Sequence, residues 1–186
     1  QYPSLALNSS GEPCISFYSY SKDSLMYASR SGSTWTVQAI TLVGYHGSLS
    51  PYSSVVLDGS NNPTVGFVDS AGAAVATLVS GQWQITRIEN GLSDRVALRR
   101  ASSGTLYFLY KSETQGSPAF RLATFNGSTW SKEDVGSTEG NGIVLSFTIG
   151  ATGTPRVVYD VLSFPSGNST QVSVRYLQRN AGVWAS

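Results

Sequence analysis

Apolar and polar residues alternate with a period of two along most of the chain, and short turns rich in Gly, Pro, Asn and Ser interrupt the alternation. The stretch from Gly11 to Trp35 shows the unit clearly. A turn closed by Pro13 precedes the β-run Cys14–Ser19, a polar loop leads to a second run at Leu25–Ser29, and a Gly turn precedes Trp35, which opens a third run. A period of two with many β-branched and aromatic residues predicts strands.

The same unit returns three times, from Asn62 to Trp83, from Gly104 to Trp130 and from Gly153 to Trp184. The tryptophans are 48, 47 and 54 residues apart, and each follows a glycine by two or three positions. With a short run before each turn, every unit has four strands, here called a, b, c and d. Four strands in about 40 to 50 residues is the period of a propeller blade.

We therefore predict one all-β domain over residues 1–186, a small β-propeller of four blades with strand a of each blade around the axis. Each blade is a four-stranded antiparallel meander, and the blades cover approximately 3–43, 52–89, 95–135 and 143–186. A competing interpretation is that the chain is an excised part of a larger propeller. Open blades would then expose apolar faces, which favours association into a homo-oligomer.

The pattern SLALNSSGEPCISFYS, followed by LMYAS and GSTW, resembles the tandem β-propeller repeats of secreted bacterial and fungal proteins. It is distantly similar to sialidase-type and lectin propellers. The Asp of the sialidase Asp-box is replaced by Arg30, Val79, Phe125 and Asn180 in the four units. Fucose-binding propeller lectins have an Arg in strand b and a Glu in strand c besides the Trp, and here only the Trp recurs. The resemblance therefore implies the fold and no single activity.

The composition of the chain excludes some classes of binding partner. Charged residues are only 12% of the chain, its net charge is +1, and its basic residues are scattered, so neither nucleic acid nor an anionic membrane surface is an expected partner. No apolar run approaches the roughly 20 residues of a membrane span. The polar, weakly charged surface is typical of secreted proteins, and Asn8, Asn126 and Asn168 begin glycosylation tripeptides. Cys14 is the single cysteine, so an intrachain disulfide is excluded, and we expect it to be a small buried residue.

Catalytic residue types are sparse. His46 is the single histidine and falls in the loop between the first two units, and the acids are dispersed, with Glu133 and Asp134 as the one adjacent pair. Hydrolysis needs paired carboxylates, an activated nucleophile or a metal with an open position. We therefore expect no metal and no cofactor, and we predict that the protein is not an enzyme. A sialidase-like glycoside hydrolase is kept as an alternative.

Two sets of residues are candidates for ligand contact. The tryptophans are interpreted as fillers between blades, with sugar-stacking platforms as the alternative. Residues where strand b meets its variable loop are candidate ligand-binding residues on one rim, with turn capping as the alternative. Phe164, in the long loop Val161–Thr170, is expected either to meet a partner or to fold over the neighbouring blade. The candidate ligand-binding residues are therefore Tyr18, Asp69, Tyr110, Lys111, Asp160 and Phe164.

These features predict a secreted binding or adhesion module without catalytic activity, whose ligand is a glycan or a partner protein. A structural blade set within a larger propeller is the alternative.

Overall fold

The computed structural model describes residues 2–44, 51–91, 93–113, 119–137, 144–163 and 171–185, with the backbone alone at 137, 144, 145, 162 and 163. These residues form four separate four-stranded sheets, each with its strands hydrogen-bonded in chain order. All pairings are antiparallel, so each sheet is a meander. His46 and Phe164 lie outside the described residues.

The first two blades come from the N-terminal half. Blade 1 consists of β1 (Ser4–Leu7), β2 (Pro13–Ser19), β3 (Ser24–Ser31) and β4 (Thr34–Leu42), with a single 3₁₀ turn, Tyr20–Lys22, between β2 and β3. Blade 2 consists of β5 (Ser53–Leu57), β6 (Pro63–Asp69), β7 (Gly72–Val79) and β8 (Gln82–Asn90).

The other two blades follow the same plan. Blade 3 consists of β9 (Ser93–Arg100), β10 (Leu106–Ser112), β11 (Ala119–Phe125) and β12 (Trp130–Ser137). Blade 4 consists of β13 (Val144–Ile149), β14 (Pro155–Ser163), β15 (Gln171–Asn180) and β16 (Val183–Ala185). The predicted fold class, an all-β propeller of four four-stranded blades, is confirmed. None of the described residues forms a helix with the length and hydropathy needed to cross a membrane.

The first strands of the blades lie around the axis, as predicted, because β1 contacts β5, β5 contacts β9, and β9 contacts β13. Polar side chains set the tight turns that follow these strands. Asn8 accepts hydrogen bonds from the backbone N–H of Ser10 and Glu12, and Asp58 accepts them from Ser60 and Asn62. Such Asx turns reverse the chain without help from distant residues, so the first hairpins of blades 1 and 2 are specified locally.

The core is divided among the blade boundaries. One cluster joins blades 1 and 2 around Phe67, a second joins blades 2 and 3 around Phe108, and a third joins blades 3 and 4 around Phe120. Cys14 is buried in the first cluster, as predicted. Within the described part of the chain, no comparable cluster joins blade 4 to blade 1. Among the described residues, no apolar core therefore closes the predicted toroid at this boundary.

Three of the four repeated tryptophans belong to these clusters. Trp83 packs against the first cluster, Trp130 against the second and Trp184 against the third, so each fills the gap to the preceding blade. The filler interpretation is confirmed for these three. Trp35 belongs to none of the three clusters and is 46% exposed.

Candidate functional site

The predicted rim residues of the first two blades, Tyr18 and Asp69, make contacts within the chain. Tyr18 is buried in the cluster between blades 1 and 2, and its hydroxyl donates a 2.6 Å hydrogen bond to Oδ1 of Asp23. Asp69 closes its turn by accepting hydrogen bonds from the backbone N–H of Ala71 and Gly72, and it forms a bidentate pair with Arg87. Asp69 thus has the turn-capping role that the sequence offered as the alternative.

Tyr110, a predicted rim residue of blade 3, belongs to a buried network around Glu89, which sequence reasoning missed. Glu89 accepts hydrogen bonds from Tyr110 Oη at 2.7 Å, Ser112 Oγ at 2.6 Å and Arg121 Nη1 at 2.6 Å. Lys132 Nζ lies 3.7 Å from Glu89 Oε2, the oxygen that accepts from Tyr110. Burial, followed by the hydrogen bond to Glu89 and its charge, raises the pKa of Tyr110 above its usual range. This network ties blade 2 to blade 3.

The remaining predicted residues are dispersed. Lys111 is buried, with Nζ 3.6 Å from Glu113 Oε1, and Asp160 is half-buried on the side of blade 4 that faces away from blade 3. The structure does not bring these rim residues together, and the burial of Tyr18 and Tyr110 argues against their direct contact with a ligand. A ligand-binding role for the set stays a prediction.

A different group converges at the axis on the same rim, where the first strands of the blades begin. The rings of Tyr2 and Tyr52 lie 4.4 Å apart, centroid to centroid, and Cζ of Arg95 lies 4.5 Å from the Tyr52 centroid. Nη1 of Arg95 donates a hydrogen bond to the Tyr52 hydroxyl, and its Nε lies 3.5 Å from Oδ2 of Asp94. These contacts bring two mutually tilted aromatic rings and a guanidinium together beside one carboxylate, a group here called the stack.

Backbone geometry marks the same positions. Tyr2 and Arg95 have φ values of 51° and 49°, in the left-handed region that residues other than glycine rarely occupy. Such conformations cost about 1–3 kcal/mol each and cluster at ligand-binding sites. Tyr2, Tyr52 and Arg95 occupy equivalent positions two residues before the matched strand residues Ser4, Ser54 and Ala97. The repeated Tyr before strand a in the first two units is a sequence signal that could have identified this site.

Beside the stack is a cleft of about 230 Å³, here called the Arg95 cleft, between the first strands of blades 3 and 4. Its walls include Tyr52, Arg95, Arg99, Ser146 and Phe147. Arg99 donates from Nε to the carbonyl oxygen of Phe147 at 3.0 Å, and burial lowers the pKa of its guanidinium. The cleft is smaller than the 300–1,000 Å³ typical of drug-sized ligands, so it can hold one small unit of a larger ligand.

The cleft offers hydrogen-bond donors and aromatic rings, and the Asp94 carboxylate lies behind it against Arg95. Two arginines against Asp94 give it a positive charge at neutral pH. The described residues contain no cluster of three or more His, Cys, Asp or Glu side chains able to hold a metal ion. The arrangement is therefore suited to a polar or anionic ligand held by charge-assisted hydrogen bonds.

Comparison with known proteins identifies the fold. No protein-family model matches the sequence, and no curated protein matches it. An ulvan lyase of a polysaccharide lyase family aligns with 98% of this chain at 10% identity and a TM-score of 0.66, and this chain covers 56% of its length. A β-1,3-galactosidase of glycoside hydrolase family 43, bound to galactodeoxynojirimycin, aligns with 98% of the chain at 10% identity and a TM-score of 0.56, with 73% of its own length covered.

An α-L-arabinofuranosidase from Clostridium thermocellum aligns with 96% of the chain at 12% identity and a TM-score of 0.53, with 68% of its own length covered. Likeness at these identities shows the propeller fold. The prediction that the protein is not an enzyme is therefore wrong, since this scaffold carries both lyases and hydrolases. The scarcity of histidine and cysteine was an insufficient reason to exclude catalysis, because paired carboxylates and positioned arginines act without either residue.

Proposed function

We propose that this chain is a secreted carbohydrate-recognition propeller that binds an acidic glycan in the Arg95 cleft. The observation that carries the proposal is the Tyr52–Arg95–Asp94 arrangement at the axis, with Arg99 on the same wall. Aromatic rings pack against the apolar faces of sugars, and carboxylate and guanidinium groups exchange hydrogen bonds with hydroxyls and acidic substituents.

The acidic character follows from the charge of the cleft. Arg95 engages Tyr52 through Nη1 and Asp94 through Nε, and a guanidinium has further N–H donors to offer a ligand. A carboxylate or sulfate on the glycan would match this fork in a planar, bidentate manner. The glycan class is supported by the carbohydrate-active proteins that share the fold, among them the ulvan lyase bound to -[GlcA(1-4)Rha3S]-, with 11% identity and a TM-score of 0.62.

The test is an array of neutral, uronic-acid and sulfated oligosaccharides, followed by calorimetry on the strongest ligand. Arg95→Asn removes the guanidinium but keeps a residue that tolerates positive φ. We expect it to weaken binding by about tenfold or more, because a hydrogen bond to a charged group contributes about 1.5–3 kcal/mol. Arg30→Ala removes an exposed arginine distant from the cleft and is the matched control.

Binding that is restricted to neutral glycans, or that is unchanged in Arg95→Asn, would contradict the acidic-glycan proposal. A silent array would reject carbohydrate recognition altogether. Mass spectrometry of the bound oligosaccharides after incubation separates binding from turnover.

A further inference from the structure

Each blade of this propeller has two different faces. Its back face packs on the preceding blade and carries the repeated Trp, and its front face packs on the following blade. Three boundaries join a front face to a back face, and among the described residues no other blade packs on the back face of blade 1 or the front face of blade 4, here called the uncovered faces. The two uncovered faces are therefore of opposite kinds.

The back face of blade 1 matches back faces that are buried elsewhere. Leu5, paired with Ile15, corresponds to Val55, which is paired with Val65 in blade 2. Leu5 is 63% exposed, whereas Val55 is buried. Trp35 likewise corresponds to Trp83, which packs in the first cluster. This face has the composition of a blade boundary but lacks its partner.

The front face of blade 4 likewise exposes positions that are buried on the front face of blade 1. In the sheet registers, Val174 corresponds to Leu25 of blade 1, and Tyr176 corresponds to Tyr27. Leu25 and Tyr27 are buried against blade 2, whereas Val174 is 64% exposed and Tyr176 is 45% exposed. Apolar side chains repeated in register on one sheet face form a patch of the kind that marks an interaction surface.

Two contacts seen at the internal boundaries indicate what would fit on these faces. The ring of Tyr27 meets the ring of Trp83 edge-on, with centroids 5.5 Å apart across the first boundary. The equivalent residues on the uncovered faces are Tyr176 on the front and Trp35 on the back. Both halves of a repeated aromatic contact are thus present in one chain, at its opposite ends.

The second contact is a hydrogen bond between neighbouring first strands. Ser4 Oγ accepts from the backbone N–H of Val55 at 3.1 Å, and Ser54 Oγ accepts from that of Leu98 at 2.9 Å. Ser146 is exposed and stands at the position of Ser4 and Ser54, because its register partner Val158 corresponds to Ser16. Leu5 stands at the position of Val55 and Leu98.

We propose that the occupant of both faces is a second copy of this chain, docked head to tail, so that two copies close one ring through two identical front-to-back boundaries. In each boundary, Tyr176 of one copy meets Trp35 of the other, and Ser146 Oγ accepts a hydrogen bond from the backbone N–H of Leu5. A heterologous contact that closes on itself yields a finite ring and no open filament. Pairing two like faces would not reproduce either contact.

The test uses light scattering and sedimentation equilibrium on the 186-residue chain and on two single-face variants, Trp35→Arg and Val174→Arg. Both side chains are exposed in the single chain, so the substitutions leave the internal boundaries intact. Wild-type protein should have about twice the 19.8 kDa mass of one chain. The dimer dissociation constant of each variant alone should be at least about tenfold higher than that of the wild type, since a buried arginine without a partner destabilises an interface.

Mixing the two variants provides the decisive result. A mixed dimer has one boundary with both substitutions and one with neither, so the mixture should associate more tightly than either variant alone. Ile85→Arg changes an exposed apolar residue of blade 2 and is the control, expected to keep the wild-type mass. A wild-type monomer at all concentrations, a dimer that survives either single substitution, or a mixture no tighter than its components would overturn the proposal.

Discussion

The boundary between blades 2 and 3 and the back face of blade 1 are built from equivalent positions, but only the first is buried. Leu98, Phe108 and Tyr110 are fully buried on the back face of blade 3. Their equivalents Leu5 and Phe17 are exposed and half-buried, respectively, on blade 1. The repeat thus encodes a blade with two apolar faces, and each face contributes to stability only where another blade covers it.

A second difference concerns polar groups. The boundary between blades 2 and 3 contains the Glu89 network, in which a buried carboxylate has several hydrogen-bond donors. On the front face of blade 4, Arg156, Tyr176, Gln178 and Asn180 form a row of exposed hydrogen bonds. Buried polar networks specify one arrangement because an unpaired member is costly, whereas exposed ones exchange freely with water.

The largest expected effect comes from truncating the same aromatic position on a covered and an uncovered face. Phe67→Ala should lower the free energy of unfolding by about 3–5 kcal/mol, because it leaves a cavity between blades 1 and 2. Phe17→Ala, at the equivalent position of blade 1, should cost far less in the dissociated chain. Urea denaturation at low protein concentration measures both variants. Equal losses would show that the back face of blade 1 is already covered within one chain.

A smaller effect is expected from Tyr110→Phe, which removes one donor from Glu89. The loss should be about 1.5–3 kcal/mol at neutral pH, typical of a hydrogen bond to a charged group. The exposed pair Tyr176–Gln178 provides the control, since Tyr176→Phe should change stability by less than about 0.5 kcal/mol.

The pH dependence of Tyr110 has a definite sign. Its pKa is raised in the folded state by burial and by Glu89, so the folded chain holds a proton that the unfolded chain releases. The resulting stability is complete below an unfolded tyrosine pKa of about 10 and is lost as pH rises through the folded value. In urea titrations at increasing alkaline pH, the free energy of unfolding should fall less steeply with pH in Tyr110→Phe than in the wild type. A slope equal to that of the wild type would contradict the assignment.

The smallest of these effects concerns close packing at the second boundary. A Cβ added at Gly66 would lie 2.5 Å from Cε2 of Phe108, so Gly66→Ala should cost about 1–3 kcal/mol through overpacking. Val158 occupies the same register position on the uncovered front face of blade 4 and already carries a larger side chain. Val158→Ile should therefore be nearly neutral in thermal denaturation. A neutral Gly66→Ala would show that the boundary is more loosely packed than the structure indicates.

The sequence by itself determined the strands, their order and the four-blade fold. Each of these depends on local features: alternation with a period of two, Asx turns such as those at Asn8 and Asp58, and a Trp after each Gly turn. The blade pattern also predicted that the tryptophans fill gaps between blades. Local signals of this kind suffice because neighbouring strands in a meander are also neighbours in the chain.

The site was decided by the tertiary structure. Tyr110 stands where its strand meets a variable loop, so the sequence predicted a rim residue. In the structure, hydrogen bonds between residues 21 to 32 positions apart hold it in a buried network. Tyr52 and Arg95 are 43 residues apart and meet because the first strands of successive blades converge on the axis. The uncovered faces could not be predicted from the sequence either. Trp35 and Trp83 have the same local pattern and differ only in whether another blade packs against them. Long-range packing, which no local pattern encodes, makes these distinctions.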